Sequence, residues 1–136
     1  MDSIYTLEQT NEIATQLVQQ YASKSVWVFQ APMGAGKTTL IAAIGKAMGI
    51  QEAMSSPTFS IMNEYEVQGK LIYHMDWYRL ENEAEARQAG VEAAMEEADL
   101  SLVEWPEKAT NLVPEHAVVF NIEFIDPDQR RIYTNQ

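Results

Sequence analysis

Gly34, Gly36, Lys37 and Thr38 have the types and order needed to hold a phosphate chain. They close the stretch APMGAGKT, Ala31 to Thr38, which follows the pattern GxxxxGK[ST] except that Ala31 stands at the first glycine. Without a Cβ, the two glycines let the backbone curl until successive N–H groups point at phosphate oxygens. A helix starting near Lys37 adds about half a positive charge at its N-terminus. In such a loop Lys37 bridges the β- and γ-phosphates and the Thr38 hydroxyl ligates Mg²⁺. Ala31 costs little there if it stays at negative φ, and Pro32 discourages helical backbone at the residue before it. The plain alternative is a glycine-rich turn ahead of a core helix. The run Met33, Gly34, Ala35, Gly36, Lys37, Thr38 and Thr39 is therefore the candidate cofactor-binding segment, with ATP and Mg²⁺ as the cofactors.

Two acids complete the chemistry. Asp76 follows LIYHM and Glu104 follows LSLV, at the ends of apolar strands, where an α/β sheet presents its ligand-facing edge. Mg²⁺ prefers oxygen ligands and keeps several waters. One carboxylate beside Thr38 can hold the ion directly or through water while the other orients an attacking water; which does which is open. Thr38, Asp76 and Glu104 are thus the candidate metal ligands, and Lys37, Asp76 and Glu104 the candidate catalytic residues. Strand-terminal acids that only solvate a loop are the alternative. Thr58, in the Pro-punctuated segment Ser55 to Phe59, suits a switch-loop hydroxyl that senses a γ-phosphate, and an ordinary turn suits it equally. His74 and His116 have no ligand-spaced partner in a chain without cysteine, so both are read as structural.

The elements that must position these groups are legible. Ser25 to Gln30, SVWVFQ, reads as a strand covered on both faces, and it delivers the chain to the loop. Beyond the loop, Leu40, Ile44, Ala47 and Met48 share a helical face, with Gly49 as the stop. Thr6 with Gln9 suggests a capping box for a helix running through about Ala22, with Ile13, Leu17 and Tyr21 as its stripe. Ser60 to Glu66 and Leu71 to Asp76 lie too close together for a parallel crossover and predict an antiparallel hairpin. Glu83 to Glu97 predicts a helical crossover interrupted at Gly90, leading to a strand over Leu100 to Val103. A short helical turn follows between Pro106 and Pro114, then strands over Ala117 to Phe124 and near Arg131 to Tyr133. The expectation is a single three-layer α/β domain of the P-loop NTPase kind, spanning residues 1–136, with a mixed, mainly parallel sheet and an antiparallel margin.

Composition narrows the function. At 136 residues and 46% hydrophobic, the chain has material for one core, and no linker or repeat divides it. A net charge of −11 with nine Lys and Arg opposes direct gripping of a nucleic-acid backbone, so any RNA would be held by a partner. ATP remains accessible, since remote carboxylates are screened over about 8 Å while Lys37, Mg²⁺ and loop amides act at contact. No apolar stretch reaches the roughly 18 residues of a membrane span, and MDSIYTLEQTNE is too acidic for a signal peptide. The absence of cysteine is compatible with the cytoplasm, the expected location.

Taken together, APMGAGKTT, SSPTFSIMNEY, HMDWYRL and LVEWPE, in this order, closely resemble the TsaE family (older name YjeE), over about Thr6 to Tyr133. SPTF, the D-x-Y-R-L segment and the EW pair are not general features of phosphate-loop proteins. The resemblance implies that Lys37, Thr38 and Thr39 contact phosphates and that Thr58 lies in a switch-like loop. It further implies that Asp76 and Glu104 serve Mg²⁺ and hydrolysis, with Trp105 as the tryptophan beside that glutamate. Ala31, Pro32 and Met33 depart from the family's usual Gly, Asp and Leu. It also implies a slow ATPase that binds the TsaD and TsaB proteins and supports repeated turnover of tRNA threonylcarbamoyladenosine synthesis, meeting tRNA only indirectly. Two rivals stand beside it. A small-molecule phosphotransferase would want an arginine-rich lid, for which Arg79, Arg87, Arg130 and Arg131 are the only arginines. An assembly factor would need nucleotide binding but not hydrolysis.

Overall fold

In a computed structural model that describes residues 1–54, 57 and 61–134, seven strands form one sheet. In chain order the elements are β1 (Asp2–Thr6), α1 (Thr10–Gln20), β2 (Val26–Gln30), α2 (Lys37–Met48), β3 (Met62–Val67) and β4 (Lys70–Asp76). There follow α3 (Glu83–Gln88), α4 (Val91–Glu97), β5 (Leu100–Glu104), β6 (Val118–Phe124) and β7 (Gln129–Thr134). The strands lie side by side as β1-β7-β6-β2-β5-β4-β3. β6, β2, β5 and β4 form a parallel block, and antiparallel strands flank it at both edges rather than at one margin.

The pattern of side chains explains the layers. Val26 to Phe29 and the whole of β5 are buried, as central parallel strands covered on both faces must be. Trp27 and Phe29 face a core shared with Ile13 and Leu17 of α1 and Leu40, Ile41 and Ile44 of α2. Val26 and Val28 face the other core, with Trp77, Leu80, Ala86, Val91 and Met95. Phe120 of β6 stacks on Phe29 at 5.3 Å and meets Tyr21 and Trp27 edge-on at 5.0 and 5.6 Å, contacts worth about 0.5–1.5 kcal/mol each.

Most predicted elements are found near their expected bounds, and the exceptions are instructive. The helix expected from Thr6 begins at Thr10 and ends at Gln20, because residues 2–6 form an edge strand on β7 and Leu7–Gln9 make a single 3-10 turn. The Thr6 N–H nevertheless donates to Gln9 Oε1 at 2.9 Å, as a capping box requires. Ala47 is exposed; the buried face of α2 is instead Leu40, Ile41, Ala43, Ile44 and Gly45, wider than a single stripe because the helix packs against both the sheet and α1. The hairpin of β3 and β4 turns on Gln68 and Gly69, at φ 52° and 78°, the paired positive values of a two-residue turn that matches strand twist. Ser60, the first residue of the predicted strand, lies outside the described residues.

Candidate functional site

Strand register brings the candidate residues together. Asp76 of β4 lies opposite Glu104 of β5, and Glu104 opposite Phe29 of β2, so three strands end side by side where β2 releases the glycine loop. There a cavity of about 400 Å³ opens, lined by Met33, Gly34, Gly36, Lys37, Thr38, Thr39, Asp76, Glu104 and Trp105, all of them singled out in the sequence. Tyr78, the tyrosine of the D-x-Y-R-L segment but given no site role from sequence, completes the lining. Ala35 does not line it: its side chain is buried beneath the loop. Thr58 lies outside the described residues, as do Ser55, Ser56 and Phe59. A second cavity of about 390 Å³ opens between Trp27, Met48 and Ile72 and collects none of the candidate residues.

The loop has the backbone that its glycines permit. Gly34 and Gly36 stand at φ 81° and 87°, and Gly36 is the N-cap of α2, its carbonyl accepting from the Leu40 N–H at 3.0 Å. Among the described residues Gln68 and Trp105 alone, other than glycines, have positive φ, so Ala31 is at negative φ, where a side chain is no burden. Ala31 packs into the core and its carbonyl accepts from Lys37 Nζ at 3.2 Å.

Lys37 is only 6% exposed, and its ammonium also rests 3.5 Å from the centre of the Trp105 ring. Burial pulls this ammonium below the ordinary lysine range, against the opposing pull of Glu104, Glu107 and Asp76. Trp105 is held there by left-handed backbone, φ 59° and ψ 51°, a conformation that costs a bulky residue about 1–3 kcal/mol and is met mostly at functional sites. Tyr78 packs on the same indole, with ring centres 4.9 Å apart.

Asp76 sits under the opposite pressure. Burial chiefly drives the Asp76 carboxyl above the usual range and nearby Glu104 adds to it, while the Tyr78 N–H, bonded to Oδ1 at 3.0 Å, His74 and Lys37 work the other way. Glu104 is 2% exposed and bonded to His74 Nε2 at 2.7 Å. A carboxyl raised by burial, as at Asp76, favours a cation beside it, and a buried ammonium favours an anion. Oxygen donors from Thr38, Asp76 and Glu104 suit Mg²⁺, and the loop beside them suits phosphate, so the residues present fit a metal-bound polyphosphate.

Sequence reasoning missed one support. Arg130 of β7 is buried; its Nε–H donates to the Ala35 carbonyl at 3.1 Å, and Nη1 donates to the carbonyls of Asp126 at 2.7 Å and Gln129 at 3.0 Å. It ties the far strand to the glycine loop, and the segment after Thr6, which pairs with Gln129, lies at this same end of the sheet. His116 contacts only Ser25 Oγ, at 3.4 Å, among the described residues and has no part in the cavity.

Fold and site together define an α/β protein with a mixed seven-stranded sheet and a glycine loop at the carboxyl end of its central parallel strand. The family model for the threonylcarbamoyl adenosine biosynthesis protein TsaE matches residues 4–132, and the chain belongs to that family. The tRNA threonylcarbamoyladenosine biosynthesis protein TsaE of Haemophilus influenzae is 33% identical over 132 residues, 96% of this chain and 83% of the relative. The protein of that name from Synechocystis is 39% identical over 111 residues, 78% and 69% of the two chains. That from Bacillus subtilis is 31% identical over 125 residues, 92% and 78%. The crystal structure of Bacillus subtilis YdiB superimposes with a TM-score of 0.73 at 24% identity, covering 98% of this chain and 84% of that one, and shows the same fold. Among the described residues no helix is long and apolar enough to cross a membrane.

Proposed function

We propose that this chain is a P-loop ATPase that binds Mg²⁺-ATP and supports turnover of a TsaD–TsaB complex in tRNA threonylcarbamoyladenosine synthesis. The observation that carries the ATPase reading is the convergence of the glycine loop, Lys37, Thr38 and two strand-end carboxylates on one cavity. The pathway follows from the names of the relatives, and the partners from the family resemblance. A net charge of −11 agrees with a protein that acts on a protein complex and leaves tRNA to it.

The residues divide the work by chemistry. Backbone N–H groups of Gly34, Gly36, Lys37 and Thr38, at the N-terminus of α2, cradle phosphate oxygens, and Met33 and Thr39 flank them at the mouth. Lys37 leaves the Ala31 carbonyl for the β- and γ-phosphates, regaining for its buried charge the anion it lacks. Thr38 and one of Asp76 and Glu104 would hold Mg²⁺, which would neutralise charge on the transferring phosphoryl group. Whichever of Asp76 and Glu104 is not engaged by the metal orients the attacking water and accepts its proton. Trp105 and Tyr78 close one wall of the cavity and keep solvent from Lys37.

The test is ATP hydrolysis and threonylcarbamoyladenosine formation with purified TsaD and TsaB. Lys37→Ala should abolish both, and Asp76→Ala and Glu104→Ala should spare some nucleotide binding yet stop repeated turnover. Full multiple-turnover synthesis by both acid variants would leave binding without required hydrolysis. An unchanged hydrolysis rate with the partners, and no association with them, would favour the phosphotransferase.

A further inference from the structure

Glu104 is a buried carboxylate at the end of an otherwise apolar strand, and what holds it is a histidine from the neighbouring strand. His74 is 1% exposed, and its Nε2 lies 2.7 Å from Glu104 Oε2. That short contact places a ring hydrogen on Nε2, as donor to the carboxylate, and leaves the buried Nδ1 without a partner. The register explains the reach: His74 pairs with Leu102, two residues before Glu104, so the ring meets the carboxylate on the diagonal of the same face. A buried imidazole with one nitrogen unsatisfied is a poor way to stabilise a core, where an aliphatic side chain would leave nothing unpaired.

The alternative partner for Glu104 is Lys37. Their charges influence one another, yet no ion pair joins them among the described residues; Lys37 turns to the Ala31 carbonyl and the Trp105 ring instead. We infer that His74 is a positioning residue: its Nε2–H fixes one oxygen of Glu104, keeps that carboxylate off Lys37 and leaves the other oxygen for the cavity. This rests on the reading of the cavity as a Mg²⁺-nucleotide site. Partners of this kind, behind a metal-binding or catalytic carboxylate, typically matter by 10–100-fold in metal affinity or activity.

Three variants and one spectrum test it. With Mg²⁺ titrated at saturating ATP, His74→Leu should lower kcat and raise the Mg²⁺ half-saturation by about tenfold or more, with KM for ATP changed much less. His74→Gln, whose amide can donate from nearly the same place, should recover most of the loss. In a Glu104→Gln background, His74→Leu should add less than about twofold, since the group it positions is already gone. Nitrogen-15 spectra of the wild-type imidazole should show the hydrogen on Nε2, with a resonance that shifts on Glu104→Gln; this reading needs no His74 variant to fold. An Nε2 that carries no hydrogen, or a folded His74→Leu with wild-type kcat and Mg²⁺ dependence, overturns the proposal. Absence of Mg²⁺-dependent nucleotide binding in the wild type would instead refute the site reading on which it rests.

Discussion

Arg130 offers a perturbation whose size can be worked out. Its guanidinium donates to three carbonyls, of Ala35, Asp126 and Gln129, at 3.1, 2.7 and 3.0 Å. Arg130→Ala removes all three bonds, but their loss is unequal. Asp126, in the turn before β7, and Gln129, the first residue of that strand, are partly exposed, so water can replace the donor. Ala35 is 1% exposed, so its carbonyl loses a charge-assisted bond in a place water reaches poorly. Stranding such a group costs about 1–3 kcal/mol, and loss of the guanidinium's contact with the Phe124 ring adds to it. The expected loss is about 2–3 kcal/mol, or roughly 8–12 °C in Tm for a chain of this size. Urea unfolding followed by tryptophan fluorescence would read it as a lower midpoint at unchanged slope. Arg130→Lys keeps the charge but not the fork and should fall between. Because the Ala35 carbonyl belongs to the glycine loop, nucleotide affinity should also drop by about tenfold, roughly 1.4 kcal/mol. An Arg130→Ala protein within about 0.5 kcal/mol of wild type would show that this bond does not hold the loop.

Two further outcomes follow from packing and charge. Gly45→Ala would drive a methyl into the Met54 sulfur and against Ile50; overpacking of about 1–3 kcal/mol outweighs the helix-propensity gain of up to about 1 kcal/mol, so the urea midpoint should fall, and a rise would mean that Met54 yields freely. Asp76→Asn should stabilise the ligand-free protein at neutral pH. Burial holds the folded-state carboxyl above its ordinary value of 3.8, so its ionisation costs stability as pH rises from 3.8 through the higher folded value. The gain in Tm should therefore vanish once the pH is brought well below 3.8, and a pH-independent gain would point to a cause other than this carboxyl.

How much was legible from sequence depended on whether a feature had local cause. The glycine loop, the buried strand before it and the break at Gly90 are set by residues adjacent in the chain, and each was readable. Asp76 and Glu104 were readable as strand-end acids because the sheet rule needs only strand direction. The edge strand over Asp2–Thr6 was hidden because its burial pattern is set by pairing with β7, more than a hundred residues away, and only Tyr5 is buried in it. Arg130 and Tyr78 were missed for the same reason: their roles depend on which strands and loops meet at the cavity. His74 had one signal in the sequence, a lone histidine two residues before Asp76 on the same strand face, but its partner is fixed only by the β4–β5 register.

Calorimetric titration of ATP into the wild-type chain and Lys37→Ala, each with and without Mg²⁺, tests the nucleotide site most directly. One site that requires Lys37 is predicted, its affinity strengthened by Mg²⁺ and reduced about 10–100-fold in the variant, the loss of a charge-assisted bond worth about 1.5–3 kcal/mol. No heat of binding in the wild type, or equal affinity in Lys37→Ala, would contradict it.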